Sequence, residues 1–97
     1  MVISVEVRFL GIFQRFSGKK RFKLILEEPA TVRKAVMKLT EIFSKDFSQV
    51  LVDSQLDDPR LNALILVGGK EISALQGLET EVKDTEEIVL VPMIHGG

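Results

Sequence analysis

The sequence predicts an α+β fold: a mixed four- to five-stranded sheet packed on one main helix. Three observations carry that prediction. Short stretches near the start alternate apolar and polar residues, one central stretch repeats its apolar residues at helical spacing, and two late stretches are almost continuously apolar.

In VISVEVRFL, Ile3, Val5, Val7 and Phe9 alternate with Ser4, Glu6 and Arg8, which reads as a half-buried strand over residues 2–9. GIFQRFSGKK follows, with Gly11 and Gly18 as punctuation, and is expected to be a turn or loop. RFKLILE alternates again through Phe22, Leu24 and Leu26, so the first two strands should pair antiparallel. Pro29 stops the second strand, and Thr31 offers a hydroxyl to cap a helix. In TVRKAVMKLTEIF, Val32, Val36, Leu39 and Phe43 recur every three or four residues, and Ala35 and Ile42 widen the stripe. An amphipathic helix is expected over about 31–44, laid on the sheet. Its capping box is incomplete, because Lys34 stands where Glu or Gln would serve. Glu41 and Lys45 have the spacing of a favourable helical pair.

From Ser44 to Pro59 the pattern dissolves into SKDFSQVLVDSQLDDP, where LVD fits a short strand or a helical turn and Asp57-Asp58-Pro59 signals a turn. LNALILV looks like a strand covered on both faces. Gly68-Gly69 supplies a tight reversal, ISALQGLETEV is short and irregular, and Asp84-Thr85 turns the chain into EEIVLVPMI. There Ile88, Val89, Leu90 and Val91 read as a central strand. The strand–helix–strand crossover needs a parallel neighbour. Setting residues 2–9 beside 87–92 in mid-sheet supplies one, with Phe9, Val36, Leu39, Leu64 and Leu90 in the core. The order β-β-α-β-β-β with one helix is the β-grasp, or ubiquitin-like, fold. Residues 1–97 are expected to form one such domain, with residues 93–97 as a flexible C-terminal tail.

Composition narrows the function. Hydrophobic residues make up 45% and charged residues 28%, with a net charge of −1, so nothing in the bulk balance argues for nucleic acid or a membrane surface. No run of about 18 apolar residues suggests a membrane span, and the N-terminus lacks the uniform apolar stretch of a signal peptide, so a cytoplasmic location is expected. There is no cysteine, hence no disulfide, thiol nucleophile or thiolate metal site. The single histidine, His95, cannot make a His-pair site, and no metal is expected.

The chain ends in VPMIHGG. At average usage, two glycines at one chosen position arise by chance about one time in 200. The one reactive group every chain owns is its terminal carboxylate, ionised at neutral pH. Transfer of AMP from ATP would make it an electrophile, provided the terminus threads into another protein's active site. Glycine, lacking Cβ, suits a narrow channel. Pro92 has no N–H for a ladder and is expected to end strand pairing, releasing Met93 to Gly97.

The segment LNALILVGGKEISALQGLETEVKDTEEIVLVPMIHGG resembles the C-terminal third of the MoaD/ThiS group of ubiquitin-like sulfur carriers. The resemblance rests on the LILVGGK hairpin, the GLETEVKDTEEIVLVP stretch and the final Gly-Gly, and it extends to residues 1–43. This group includes the small subunit of molybdopterin synthase and the eukaryotic ubiquitin-related modifier that thiolates tRNA. The HGG ending and the length are closer to ubiquitin-related and archaeal modifier types. The resemblance implies that Gly97 is adenylated by a ubiquitin-activating-type enzyme and converted to a thiocarboxylate. Gly96, His95, Ile94 and Met93 would line the partner's channel. The chain would bind no cofactor itself, ATP being used by the activating enzyme, and would not be an enzyme alone. Its expected partners are that enzyme, a larger catalytic subunit of molybdopterin synthase type and, for a modifier, substrate lysines. Sulfur donation in molybdopterin synthesis is the first expectation, with tRNA thiolation or protein modification as alternatives. An interaction module without tail chemistry is the reading from another class, and a ligand-binding domain is disfavoured by the lack of convergent polar residues.

Other groups are weaker signals. Arg15, Lys19, Lys20, Arg21 and Lys23 could steer an acidic partner but fit a solvated hairpin better. Gly68-Gly69-Lys70 lacks phosphate-loop spacing and reads as a turn. Glu27-Glu28 and Asp57-Asp58 are acidic pairs without further ligands.

Overall fold

A computed structural model describes residues 1–53 and 55–93. Five strands form one mixed sheet: β1 (Val2–Phe9), β2 (Arg21–Glu27), β3 (Ala63–Val67), β4 (Lys70–Glu71) and β5 (Glu87–Pro92), in the order β2-β1-β5-β3-β4. The first and last strands lie side by side and parallel, with Val7 opposite Ile88 and Phe9 opposite Leu90. Antiparallel β2 flanks β1, and antiparallel β3 flanks β5. This is the β-grasp arrangement that the sequence predicts.

Helix α2 (Val32–Ile42) buries Val32, Ala35, Val36 and Leu39 against the sheet. Thr31 caps it, its hydroxyl accepting from the Lys34 N–H at 3.3 Å. Lys34 does not complete a capping box; its ammonium donates instead to the Pro29 carbonyl at 2.6 Å. The helix ends at Ile42, shorter than the expected 31–44, because Phe43 turns to extended backbone. Glu41 and Lys45 therefore belong to different helices, and the expected helical pair does not form.

Two helices stand where the sequence predicts none. GIFQRFSGKK, expected to be loop, contains α1 (Ile12–Ser17), and the stretch after Ser44 contains α3 (Lys45–Leu51). Two glycines bracket α1: Gly11 stands at its N-cap, and Gly18, at φ 75°, donates its N–H to the Gln14 carbonyl. In α3 Ser44 is the cap, accepting from Phe47 N–H at 3.2 Å, while Phe47 and Leu51 are buried one turn apart. Both helices are under two turns long, too short to declare a period; each forms because one phenylalanine on it fills the core. Phe13 meets Phe47 edge-on, and Phe47 meets Phe9 and Phe43 at ring separations of 5.5 and 5.1 Å. Phe22 completes the cluster through Phe43. Phe16 alone of the six phenylalanines stays outside it.

Phe9, Val36, Leu39 and Leu90 are core residues as expected, but Leu64 is only half-buried. Strand β3 alternates, with Ala63, Ile65 and Val67 facing the helices and Leu64 and Leu66 facing the uncovered side of the sheet. Its continuous apolar run thus does not mean two covered faces; β5, in the centre, comes closer, burying Ile88, Val89 and Leu90 in succession. Gly68 and Gly69, both at positive φ, make the two-residue reversal into β4. Among the described residues, no helix is long and apolar enough to cross a membrane.

Candidate functional site

Of the five residues assigned to the tail, Met93 is described; Ile94, His95, Gly96 and Gly97 lie outside the described residues. The site can therefore be built from the point where the chain leaves the sheet. Strand β5 stays paired with β3 through Pro92, opposite Ala63, and one residue further the Met93 N–H still donates to the Asn62 carbonyl at 3.0 Å. Pairing thus ends later than expected.

The register explains what Pro92 does. Along β5 the residues bonded to β3 alternate: the Glu87 carbonyl accepts from Gly68 and the Met93 N–H donates to Asn62. The Pro92 nitrogen lies on the other side, toward β1. There the ladder has already closed, with Leu10 N–H on the Leu90 carbonyl at 3.3 Å, and the chain turns away at Gly11. Proline costs no hydrogen bond at this position and ends the β1 side of the ladder alone.

Gly11 is the counterpart of Pro92. Its φ of 54° and ψ of −127° favour glycine, and a Cβ built there would stand 2.8 Å from Pro92 Cγ. The close approach sets the start of α1 against the base of the tail. Replacing Gly11 with alanine should destabilise the protein by about 2 kcal/mol through backbone strain and the clash. A thermal melt checks the loss, and the amide signal of Met93 should shift as its bond to Asn62 is disturbed. An unchanged melt would mean that Gly11 does not set this approach.

Exposed apolar side chains form a collar at the exit, where Ile12 and Met93 share one groove, Phe16 follows Ile12 along α1 and Leu61 precedes Asn62. Ile12 and Phe16, one turn apart on α1, are each 41% exposed, and Leu61 and Met93 are each 44% exposed. A shallow groove lined by Ile12, Gln49, Val50, Asn62 and Met93 runs beneath. Met93 therefore does not close the core; it belongs to the collar. The 3-10 turn Pro59–Leu61 places Asn62, and Asp58 caps that turn, accepting from Arg60 N–H at 2.8 Å. The Arg60 guanidinium, hydrogen-bonded to Asp58 at 2.7 Å, holds the Asp58 carboxyl below its ordinary pKa and is itself raised.

The sequence gives Ile12, Phe16 and Asn62 no role and Gly11 only that of loop punctuation. Two glycines bracketing an Ile and a Phe four apart were the available signal for a capped helical turn with one spare apolar face. Of the five basic residues singled out, Arg21 pairs with Glu6 at 2.9 Å and Lys23 lies opposite Glu6 in register, so these two charges are balanced on the exposed face of the sheet. Asp58 is held by Arg60, and among the described residues no group of three or more acidic or histidine side chains could hold a metal ion.

Comparison with known proteins gives this geometry a context. A family model described as the ThiS family matches residues 7–97. The chain is 33% identical over 70 residues to the "Putative sulfur carrier protein" of Archaeoglobus fulgidus, covering 72% of this chain and 77% of that one. It is 24% identical over 95 residues to small archaeal modifier protein 3 of Haloferax volcanii, covering 98% of this chain and 100% of that one. The solution structure of small archaeal modifier protein 1 from Methanosarcina acetivorans shares the fold, with a TM-score of 0.84 at 24% identity over 100% of this chain and 99% of that one.

Proposed function

Because this chain belongs to the ThiS family, we propose that its Gly97 carboxylate is adenylated by a ubiquitin-activating-type enzyme and then converted to a thiocarboxylate. A Gly97 oxygen attacks the α-phosphorus of ATP and pyrophosphate leaves. A sulfur nucleophile of the hydrosulfide class then attacks the acyl carbon, and AMP leaves with the electron pair. ATP belongs to the activating enzyme; this chain supplies the carboxylate and the means to present it.

One observation carries the reading. The last described residue is anchored on a central strand, through Met93 N–H to Asn62, within a collar of exposed apolar groups. Met93 and the four residues after it can carry the carboxylate at most about 17 Å from that anchor. The collar can rest on the enzyme's surface while the terminus reaches in, and Gly96 and Gly97 suit a channel too narrow for side chains. Ile94 and His95 would line its mouth. Truncating a collar side chain, exposed and outside the core, should therefore weaken docking and spare the fold. Phe16→Ser is expected to raise the KM for this chain about tenfold in ATP–pyrophosphate exchange, with kcat and the thermal midpoint little changed. Equal KM values would remove α1 from the docking surface.

The sulfur is proposed to go to a molybdopterin precursor, in complex with a larger catalytic subunit of molybdopterin synthase type. The modifier named above, aligned over 98% of this chain, favours a second reading in which Gly97 forms an isopeptide bond with a substrate lysine. Lysines carrying residues 84–97, the branch that trypsin leaves after Lys83, test it in digests of native lysates: such conjugates establish the modifier branch, and their absence leaves sulfur transfer. The adenylation shared by both readings is tested by ATP–pyrophosphate exchange that requires this chain. No exchange with its cognate activating enzyme would contradict the proposal.

A further inference from the structure

Strand β2 is an edge of the sheet, seven residues long, whereas the opposite edge, β4, has two. Its outward backbone groups follow from the register. Phe9 N–H donates to the Lys20 carbonyl and Glu28 N–H to the Met1 carbonyl, so the groups bonded to β1 between those ends are those of Phe22, Leu24 and Leu26. The N–H and C=O of Arg21, Lys23, Ile25 and Glu27 point away from the sheet. No backbone partner accepts or donates to them among the described residues.

The edge is also grooved and charged. A depression lined by Val2, Ile25, Leu26, Glu27, Lys34 and Lys38 runs between β2 and α2. Val2 is 60% exposed and Ile25 49%, an apolar patch on the open side of the edge between Lys23 and Glu27, while α2 brings two ammonium groups to the other side. Lys34 and Lys38 supply the groove's positive charge, and Glu27 is the one acidic side chain in it.

We propose that this edge docks an extended acidic segment of a partner protein, which adds to β2 as a sixth strand. Backbone pairing would come from Lys23 and Ile25. Alternate side chains of the segment would face opposite ways: apolar ones against Ile25 and Val2, carboxylates against Lys34 and Lys38. A second copy of this chain fits less well. Two-fold pairing about Ile25 would bring Lys34 and Lys38 of both copies into one groove. The surface is separate from the tail exit, so the inference stands apart from the chemistry of Gly97.

The test uses the full chain and a fluorescein-labelled peptide of alternating Glu and Val, long enough to span the edge, with a Lys–Val peptide as control. The acidic peptide should bind and slow hydrogen exchange at the amides of Lys23 and Ile25, while those of Leu24 and Leu26 stay as protected as before. Reversing both charges, Lys34→Glu with Lys38→Glu, should weaken binding about tenfold. Ile25→Pro removes one outward donor without touching the β1 ladder and should weaken binding in its own right. A thermal melt of each variant separates lost docking from lost fold. Absence of protection at Lys23 and Ile25, equal binding of the basic peptide, or protection of these amides by self-association without peptide would each overturn the proposal.

Discussion

Removing Gly97, or adding one residue after it, is expected to abolish adenylation while leaving the melting temperature unchanged. Among the described residues the core is the sheet and the cluster around Phe9, Phe43 and Phe47, built before the chain leaves β5. Reaction depends on one carboxylate meeting the α-phosphate of ATP. An extended residue moves that carboxylate by about 3.3 Å, and misplacement by about 1 Å can cost around a hundredfold. A loss of at least that size is expected in pyrophosphate exchange. Gly96→Val should also impair exchange, because a branched side chain then enters the channel. His95→Ala should matter much less, since a side chain at the mouth contributes contact but not position. A truncated chain that accepts AMP as readily as the intact one would leave the interaction-module reading in place of tail chemistry.

The second large effect lies in the fold. Phe47→Ala should destabilise the protein by about 3–5 kcal/mol. Phe47 is fully buried and its ring meets Phe9, Phe13 and Phe43, so truncation opens a cavity lined by three other rings. Those neighbours sit on β1, α1 and the turn after α2, and cannot all close on the gap. Total stabilities of small domains are about 5–15 kcal/mol, so the variant should lose a large share of its folded margin. Chemical denaturation measures the change. A loss below about 1 kcal/mol would mean that α3 is an appendage and not a wall of the core.

Phe47 also shows where the sequence stops being legible. Strands β1 and β2 and helix α2 were readable because each repeats its period several times, and β5 because its run of Ile88 to Leu90 exceeds what one face can bury. Helices α1 and α3 carry one or two inward side chains each, and that is no period at all. Their physical signal was in the caps: Gly11 and Gly18 around α1, Ser44 before α3. Leu64 was misplaced for a related reason. In LNALILV every residue but the asparagine is apolar, so the sequence cannot say which alternate set faces the helices. At the candidate site the terminal Gly-Gly was visible as chemistry. The collar was not, because Ile12 and Phe16 come from an unforeseen helix and Leu61 and Asn62 from a turn with no pattern.

The most direct measurement is the intact mass of this chain after incubation with ATP, its activating enzyme and a sulfur donor, followed by fragmentation from the C-terminus. A gain of about 16 Da, sulfur for oxygen, should appear and map to Gly97. An unchanged mass under conditions where the enzyme thiolates another carrier of its own cell would contradict the proposed function.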